Sequence, residues 1–447
     1  YVLDLGGGAL APLAGLPHVA GIGSRADGDV VRRVVAEVQG IADARETYFR
    51  EQGIDSIETY RRLHSEGRAD DGHGDVFLCV DGWGTLRADF DQLEPAIQQL
   101  AQRGLGLGLH LVAASARWSD FRAALRDQLG TRLELRLGDP VDSEVDRKVA
   151  ATVPADRPGR GLVAGPLHFL AALPPHPERL VAAARDAWPG LAAPPLRLLP
   201  ATTALDAVRR QAGADTAGLL LGLDEARLAP VALDPRTEPH LLVFGDSRSG
   251  KSALLRTYLR EVARTRSPAQ AQVVVVDYRR SLLGEVADDR LLHYLTSADQ
   301  ARPALDELAS YLRTRLPGPG VTPEQLRRRS WWTGAEVYVV VDDYDLVATP
   351  QGSPVAALQP LLAQAGDVGL HLVVARRTGG AARALFEPVI QSLRDLAMPG
   401  VLLSGSREEG PLLGTVRPSP AAPGRAKLVT RDRGTEVIQV AWSPDGG

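Results

Sequence analysis

The sequence predicts an α/β protein of two tandem modules with mainly parallel sheets, the first module incomplete. Two observations carry this. Short apolar runs such as Phe77–Val80 and Val337–Val341 alternate with helical patterns, as in units whose strands are covered on both faces. The second observation is an internal repeat. Phe77-Leu-Cys-Val-Asp81 has a counterpart in the run from Val337 to Asp342, and Gly108-Leu-His110-Leu-Val in Gly369-Leu-His371-Leu-Val. The aspartate-to-histidine separation is 29 residues in both copies, and a chance match of this order and spacing is improbable.

Along the chain, residues 1–172 read as the C-terminal part of one module. It opens on the strand-like Tyr1-Val-Leu-Asp4-Leu5, which matches Val273-Val-Val-Val-Asp277 in the second copy. A chain that opens inside a strand is expected to be cut from something longer. Prolines 174, 175, 177, 189, 194, 195 and 200 make residues 173–200 a linker by composition, with a short helix near Glu178–Ala187. Residues 201–447 read as a complete module. Its lead-in, Gly218–Asp224 and Pro230–Asp234, has the pattern of a hairpin. Breaks fall at Pro317–Gly320 and Pro418–Gly424.

Composition narrows the function classes. The 447 residues are 44% hydrophobic, enough for several cores, and the net charge of −4 offers no general counterion to nucleic acid. Cys79 is the only cysteine, so no intrachain disulfide or paired-cysteine metal site exists. Its place in an apolar run predicts a buried thiol. No run of 18 or more apolar residues is present, so no membrane-spanning helix is expected. His110 and His371, each in an apolar strand after glycine, are expected to be satisfied core residues rather than catalytic ones. Trp331-Trp332 is expected to be core or interface rather than a base-stacking platform.

The stretch "LLVFGDSRSGKSALLRTYL" carries the chemistry. An apolar strand meets Gly245-Asp246-Ser247-Arg248-Ser249-Gly250-Lys251-Ser252 and continues as an amphipathic helix, the order a P-loop requires. The glycines let backbone amides face phosphates, Lys251 reaches the β and γ oxygens, and the Ser252 hydroxyl ligates Mg²⁺. ATP and Mg²⁺ are the expected cofactors. The partner acid is expected at a buried strand end, where Asp342 would hold Mg²⁺ through water. Asp343, the expected catalytic residue, stands where many such enzymes have glutamate to polarise the attacking water. Aspartate is one methylene shorter, and a misplacement of about 1 Å can cost on the order of 10²-fold in rate. The site is therefore expected to bind better than it turns over.

The P-loop, the doubled acid after a valine run and the "GLHLV" strand resemble the FtsK/SpoIIIE ATPases. "LDLGGGALAPLAGLPHV", "GDVFLCVDGWGTL", "TRLELRLGDPVDSEVDRKVA" and "VPADRPGRGL" resemble more narrowly the later ATPase modules of the EccC family, motors of type VII (ESX) secretion. The resemblance covers nearly the whole chain. It implies two tandem RecA-like modules on the cytoplasmic side of a cell membrane, anchored through segments or partners outside this chain. It also implies helical-hairpin WXG100 substrates recognised by a C-terminal signal, other secretion components as partners and a homo-oligomeric ring. FtsK motors have a glutamine after the histidine strand, whereas Ala113–Arg117 and Ala375-Arg376-Arg377 contain none. Arg132 has no counterpart near Met398–Val401, and Asp81 is followed by Gly82, not a second acid. Each departure points toward slow or regulated ATP hydrolysis. The alternatives from other classes are a DNA translocase, which shares the fold, and a scaffold stapled by ATP. The short basic runs Arg279-Arg280 and Arg327-Arg328-Arg329 make nucleic acid an unlikely partner.

Overall fold

Val2–Asp4 (β1), Ile22–Ser24 (β2), Val76–Asp81 (β3) and Leu109–Ala114 (β4) form a parallel sheet in the order β2-β1-β3-β4. The computed structural model describes residues 1–174, 176–214 and 216–443. Of the sequence-stretch assignments above, Pro175 in the proline-rich stretch and Asp215 and 444–447 in the second module lie outside it. The long helix Gly28–Gln52 buries Val31, Val34, Val35, Val38, Ile41 and Ala42 against the sheet, a spacing that puts one apolar stripe inward. It stops at Gly53, whose φ of 65° a side chain would strain. A separate antiparallel sheet joins Leu133–Leu135 (β5), Arg160–Val163 (β6) and Leu167–Leu170 (β7).

The chain divides into compact units at Tyr1–Leu198 and Leu199–Gly447. The proline-rich stretch thus falls in the first unit except for Leu199 and Pro200, which belong to the second. Its helix Pro177–Ala187 forms where composition placed one. Ala193 and Leu196 donate backbone hydrogen bonds to the carbonyls of Pro17 and Ala20.

Among the described residues, the second unit holds one sheet of eleven strands. These are Thr203–Ala204 (β8), Leu219–Asp224 (β9), Pro230–Leu233 (β10), His240–Phe244 (β11), Ala271–Val276 (β12), Leu291–Leu295 (β13), Glu336–Val341 (β14), Leu370–Arg376 (β15), Gly400–Leu402 (β16), Arg425–Thr430 (β17) and Gly434–Trp442 (β18). The order β16-β11-β15-β14-β12-β13 is parallel throughout, and β17, β18, β9 and β10 extend it as an antiparallel wing. The predicted lead-in hairpin is β9–β10. Buried parallel strands are apolar on both faces. Here Leu242, Phe244, Val339, Val341, Leu372 and Val374 pack with Leu305, Leu308 and Leu312 on one face. Leu241, Val243, Tyr338, Val340 and Val373 pack with Leu254, Leu255, Tyr258 and Leu259 on the other.

Burial of a polar group in this core makes a pH prediction. His240 is 1% exposed; its Nδ1 accepts from the Leu372 amide at 3.0 Å, and its Nε2 lies 3.2 Å from the Leu362 carbonyl. Burial lowers its pKa to about 4, so the folded state holds the ring neutral while the unfolded chain protonates near the ordinary 6.5. The contribution is intact above pH 6.5 and is lost as pH falls toward 4, a total on the order of 3 kcal/mol. Denaturation across that window should show a shallower pH slope in His240→Asn than in the native chain.

The expected buried thiol is corrected. Cys79 is only partly buried, because β3 points Val76, Leu78 and Val80 into the core and turns Phe77 and Cys79 to the opposite, open face. Phe77 stacks on His110 at 4.6 Å yet is 48% exposed. The matching pair in the second unit, Tyr338 and His371, stacks at 4.1 Å and is buried beneath Tyr258 of the helix Lys251–Thr265. His110 accordingly departs from the expected core histidine. His371 conforms to it in burial, with Nε2 3.2 Å from a Glu336 carboxylate oxygen, but its Nδ1 is buried without a hydrogen-bond partner. Trp331 and Trp332 donate their indole N–H groups to the carbonyls of Arg315 and Asp367, and Arg315 lies 4.1 Å over the Trp332 ring. They tie a loop to the core.

Candidate functional site

The carboxyl ends of β11, β12, β14 and β15 converge where β11 sits between β15 and β16, the kind of crossover point at which open parallel sheets bind ligands. The loop after β11 begins at Gly245, where a Cβ would lie 2.4 Å from Ser249 Oγ and 2.8 Å from Leu403 Cβ. It ends at Gly250, with φ 111° and no side-chain cap on the helix Lys251–Thr265. The first-turn amides of that helix therefore remain available at the positive end of its dipole. Ser247 and Arg248 are exposed, whereas Ser249 is buried and accepts from the Gly424 amide through its carbonyl at 2.8 Å. The Asp246 carboxylate is turned away to accept from Thr378 Oγ1. Lys251 is 7% exposed, its Nζ donating to the Asp246 carbonyl at 3.1 Å.

Opposite the loop, Asp342 follows directly on β14 and is 1% exposed. Its Oδ2 accepts from Ser252 Oγ at 2.7 Å and from Ser281 Oγ at 3.0 Å, while Oδ1 accepts from the Asp343 amide at 2.8 Å. The fold thus brings together two residues 90 positions apart that the sequence pairs as metal ligands. A hydroxyl and a carboxylate oxygen in contact at a helix N-terminus suit Mg²⁺, a hard cation that keeps several waters. Asp343 follows with φ 44°, a left-handed conformation that is strained for aspartate. Its Oδ2 lies 3.2 Å from Arg279 Nε. Burial and the Asp342 charge raise its pKa, against the opposing charges of Arg279 and Lys251.

Several neighbours carried no local signal. Asp277, fully buried at the end of β12, accepts from Tyr294 Oη at 2.7 Å, from the Leu282 amide at 2.8 Å and from the Arg279 amide at 3.0 Å. Ser281 bridges it to Asp342. The register Val276↔Val341 sets Asp277 beside Asp342, and that adjacency is visible only in the sheet order. Arg376, in the segment lacking the glutamine, ends β15; its carbonyl accepts from the Gly245 amide at 3.2 Å, and its Nε and Nη1 are buried without hydrogen-bond partners. In the first unit Asp81 ends β3, and a Cβ on Gly6 would lie 2.3 Å from its Oδ2.

Known proteins share this architecture. The FtsK/SpoIIIE family model matches residues 1–178 and 206–330. The ESX secretion system protein EccC of Thermomonospora curvata is 49% identical over 99% of this chain, which covers 34% of that protein. The ESX-4 secretion system protein EccC4 of Mycobacterium tuberculosis is 48% identical over 99% of this chain, covering 36% of that protein. The chain therefore spans about a third of the length of these relatives. Among solved structures, Thermomonospora curvata EccC (ATPases 2 and 3) in complex with a signal sequence peptide superposes with a TM-score of 0.95 and 48% identity, over 100% of this chain and 82% of that one. Among the described residues, no helix is long and apolar enough to cross a membrane. The chain belongs to the FtsK/SpoIIIE family, among the EccC-type ATPases of ESX secretion systems.

Proposed function

We propose that the second unit binds ATP with Mg²⁺ and hydrolyses it slowly, as a nucleotide-regulated part of a type VII secretion motor that recognises WXG100-type substrates. The observation that carries the nucleotide reading is the 2.7 Å contact of Ser252 Oγ with Asp342 Oδ2 beside the Gly245–Lys251 loop. Loop amides and Lys251 would hold the phosphates, and Ser252 and Asp342 the metal, whose chemistry is to neutralise charge on the β and γ oxygens. In hydrolysis a water oxygen attacks the γ phosphorus, the bond to the β–γ bridging oxygen breaks, and Asp343 accepts the water proton. ADP and phosphate leave.

Substrate recognition draws support from the relative solved with a signal sequence peptide and from apolar side chains kept exposed in this unit, Leu346 and Phe386 among them. The motor would work on the cytoplasmic side of the cell membrane, anchored through segments or partners outside this chain. The short Asp343 and the absent glutamine favour slow turnover. Steady-state assays with saturating ATP–Mg²⁺ should give less than about 1 s⁻¹, below the common enzyme range. A faster rate would reject the slow-turnover part while leaving nucleotide binding in place.

A further inference from the structure

We infer that Arg279 is a positioning residue that restrains Asp343, so that the ion pair between them limits ATP hydrolysis. This rests on the proposed ATP-binding role of the second unit and extends it to the control of its rate. Asp342 is engaged by Ser252, Ser281 and the Asp343 amide, which leaves the Asp343 carboxylate as the second one at this turn. Its one salt-bridge partner among the described residues is Arg279, at 3.2 Å.

The arrangement is built from both sides. Asp277 anchors the turn that carries Arg279 by accepting its amide hydrogen at 3.0 Å, and the next residue, Arg280, has φ 59°. After β14, Asp343 is held at φ 44° by the hydrogen bond its amide donates to Asp342 Oδ1 and by the Leu346 amide, which donates to its carbonyl at 2.7 Å. Non-glycine residues in this region persist only where surrounding contacts over-determine them. The Asp343 side chain is 14% exposed, so the guanidinium acts on it through little water; that of Arg279 is 60% exposed and free to swing out. In the pair one Asp343 oxygen is directed at the cation instead of at a water. Closing a gap left by a short aspartate requires that oxygen to move, and the pair opposes the move.

The test compares the full chain with Arg279→Gln, Arg279→Lys, Asp343→Asn and Arg279→Gln/Asp343→Asn, by steady-state or single-turnover ATP hydrolysis and by ATP-induced thermal shift. Arg279→Gln should raise kcat roughly 3- to 10-fold, a fraction of what a general base supplies, with KM for ATP unchanged. Arg279→Lys should stay near the native rate, and the glutamine substitution should have no effect once Asp343 is asparagine. A kcat that falls or does not change, a gain that persists in the double variant, or an effect confined to KM overturns the inference alone. An unsubstituted chain without an ATP-induced shift overturns the nucleotide assignment, and this inference with it.

Discussion

Lys251→Ala should abolish the thermal stabilisation that ATP–Mg²⁺ gives the native chain. Lys251 lies in the first turn of the P-loop helix and is 7% exposed, its ammonium held inside the loop by the Asp246 carbonyl. Moving that ammonium onto phosphate oxygens exchanges a neutral acceptor for anionic ones. Hydrogen bonds to charged groups contribute about 1.5–3 kcal/mol each, so losing two of them weakens binding at least about 100-fold. At a ligand concentration of about 100 times the native Kd, linkage stabilises the folded chain by about 2.7 kcal/mol. The same concentration would only match the variant's Kd, leaving about 0.4 kcal/mol, below what a melting curve resolves. Lys251→Ala also removes the one hydrogen bond that Lys251 makes among the described residues, so each protein's ATP-induced shift is read against its own nucleotide-free melting temperature. Equal ATP affinity in the two would reject the P-loop assignment.

Legibility in the sequence follows the distance over which each feature is specified. The loop Gly245–Ser252 is local, since its glycines and its flanking strand and helix stand next to it in the chain. Asp342 was legible too, because a valine run ending in an acid describes a buried strand and its exit. What the sequence did not disclose depends on which strands are neighbours. Arg279 and Asp277 meet the Asp342–Asp343 turn because β12 lies beside β14, with Ala271–Val276 in register with Glu336–Val341. As letters, Arg279-Arg280 was only a short basic run. Cys79 failed for a related reason. An apolar run marks a strand but does not reveal whether both faces are covered, and in the first unit one face of β3 is open. In the second unit the matching face is covered, because Tyr258 of the P-loop helix packs on Tyr338.

Peptide and DNA should separate cleanly by their response to salt. A secretion substrate's C-terminal helical tail is expected to dock through apolar anchors at i, i+3 or i+4, and such contacts release few counterions. Its affinity should change less than about threefold between 50 and 200 mM salt, whereas a duplex held by 6–10 phosphate contacts loses roughly 10³–10⁵ in affinity. The surface favours the first outcome. Net charge is −4, and two arginines that flank the nucleotide site already have acids: Arg279 pairs with Asp343, and Arg377 with Asp345 at 2.8 Å. Diverting them to phosphates would break those pairs. Titrations of tail peptide and duplex DNA at both salt concentrations decide the matter. Tight, steeply salt-dependent DNA binding without detectable peptide binding would favour a translocase. Weak peptide binding would leave secretion in place, because a substrate that presents several tails to several copies gains avidity by linking sites whose single affinities are low.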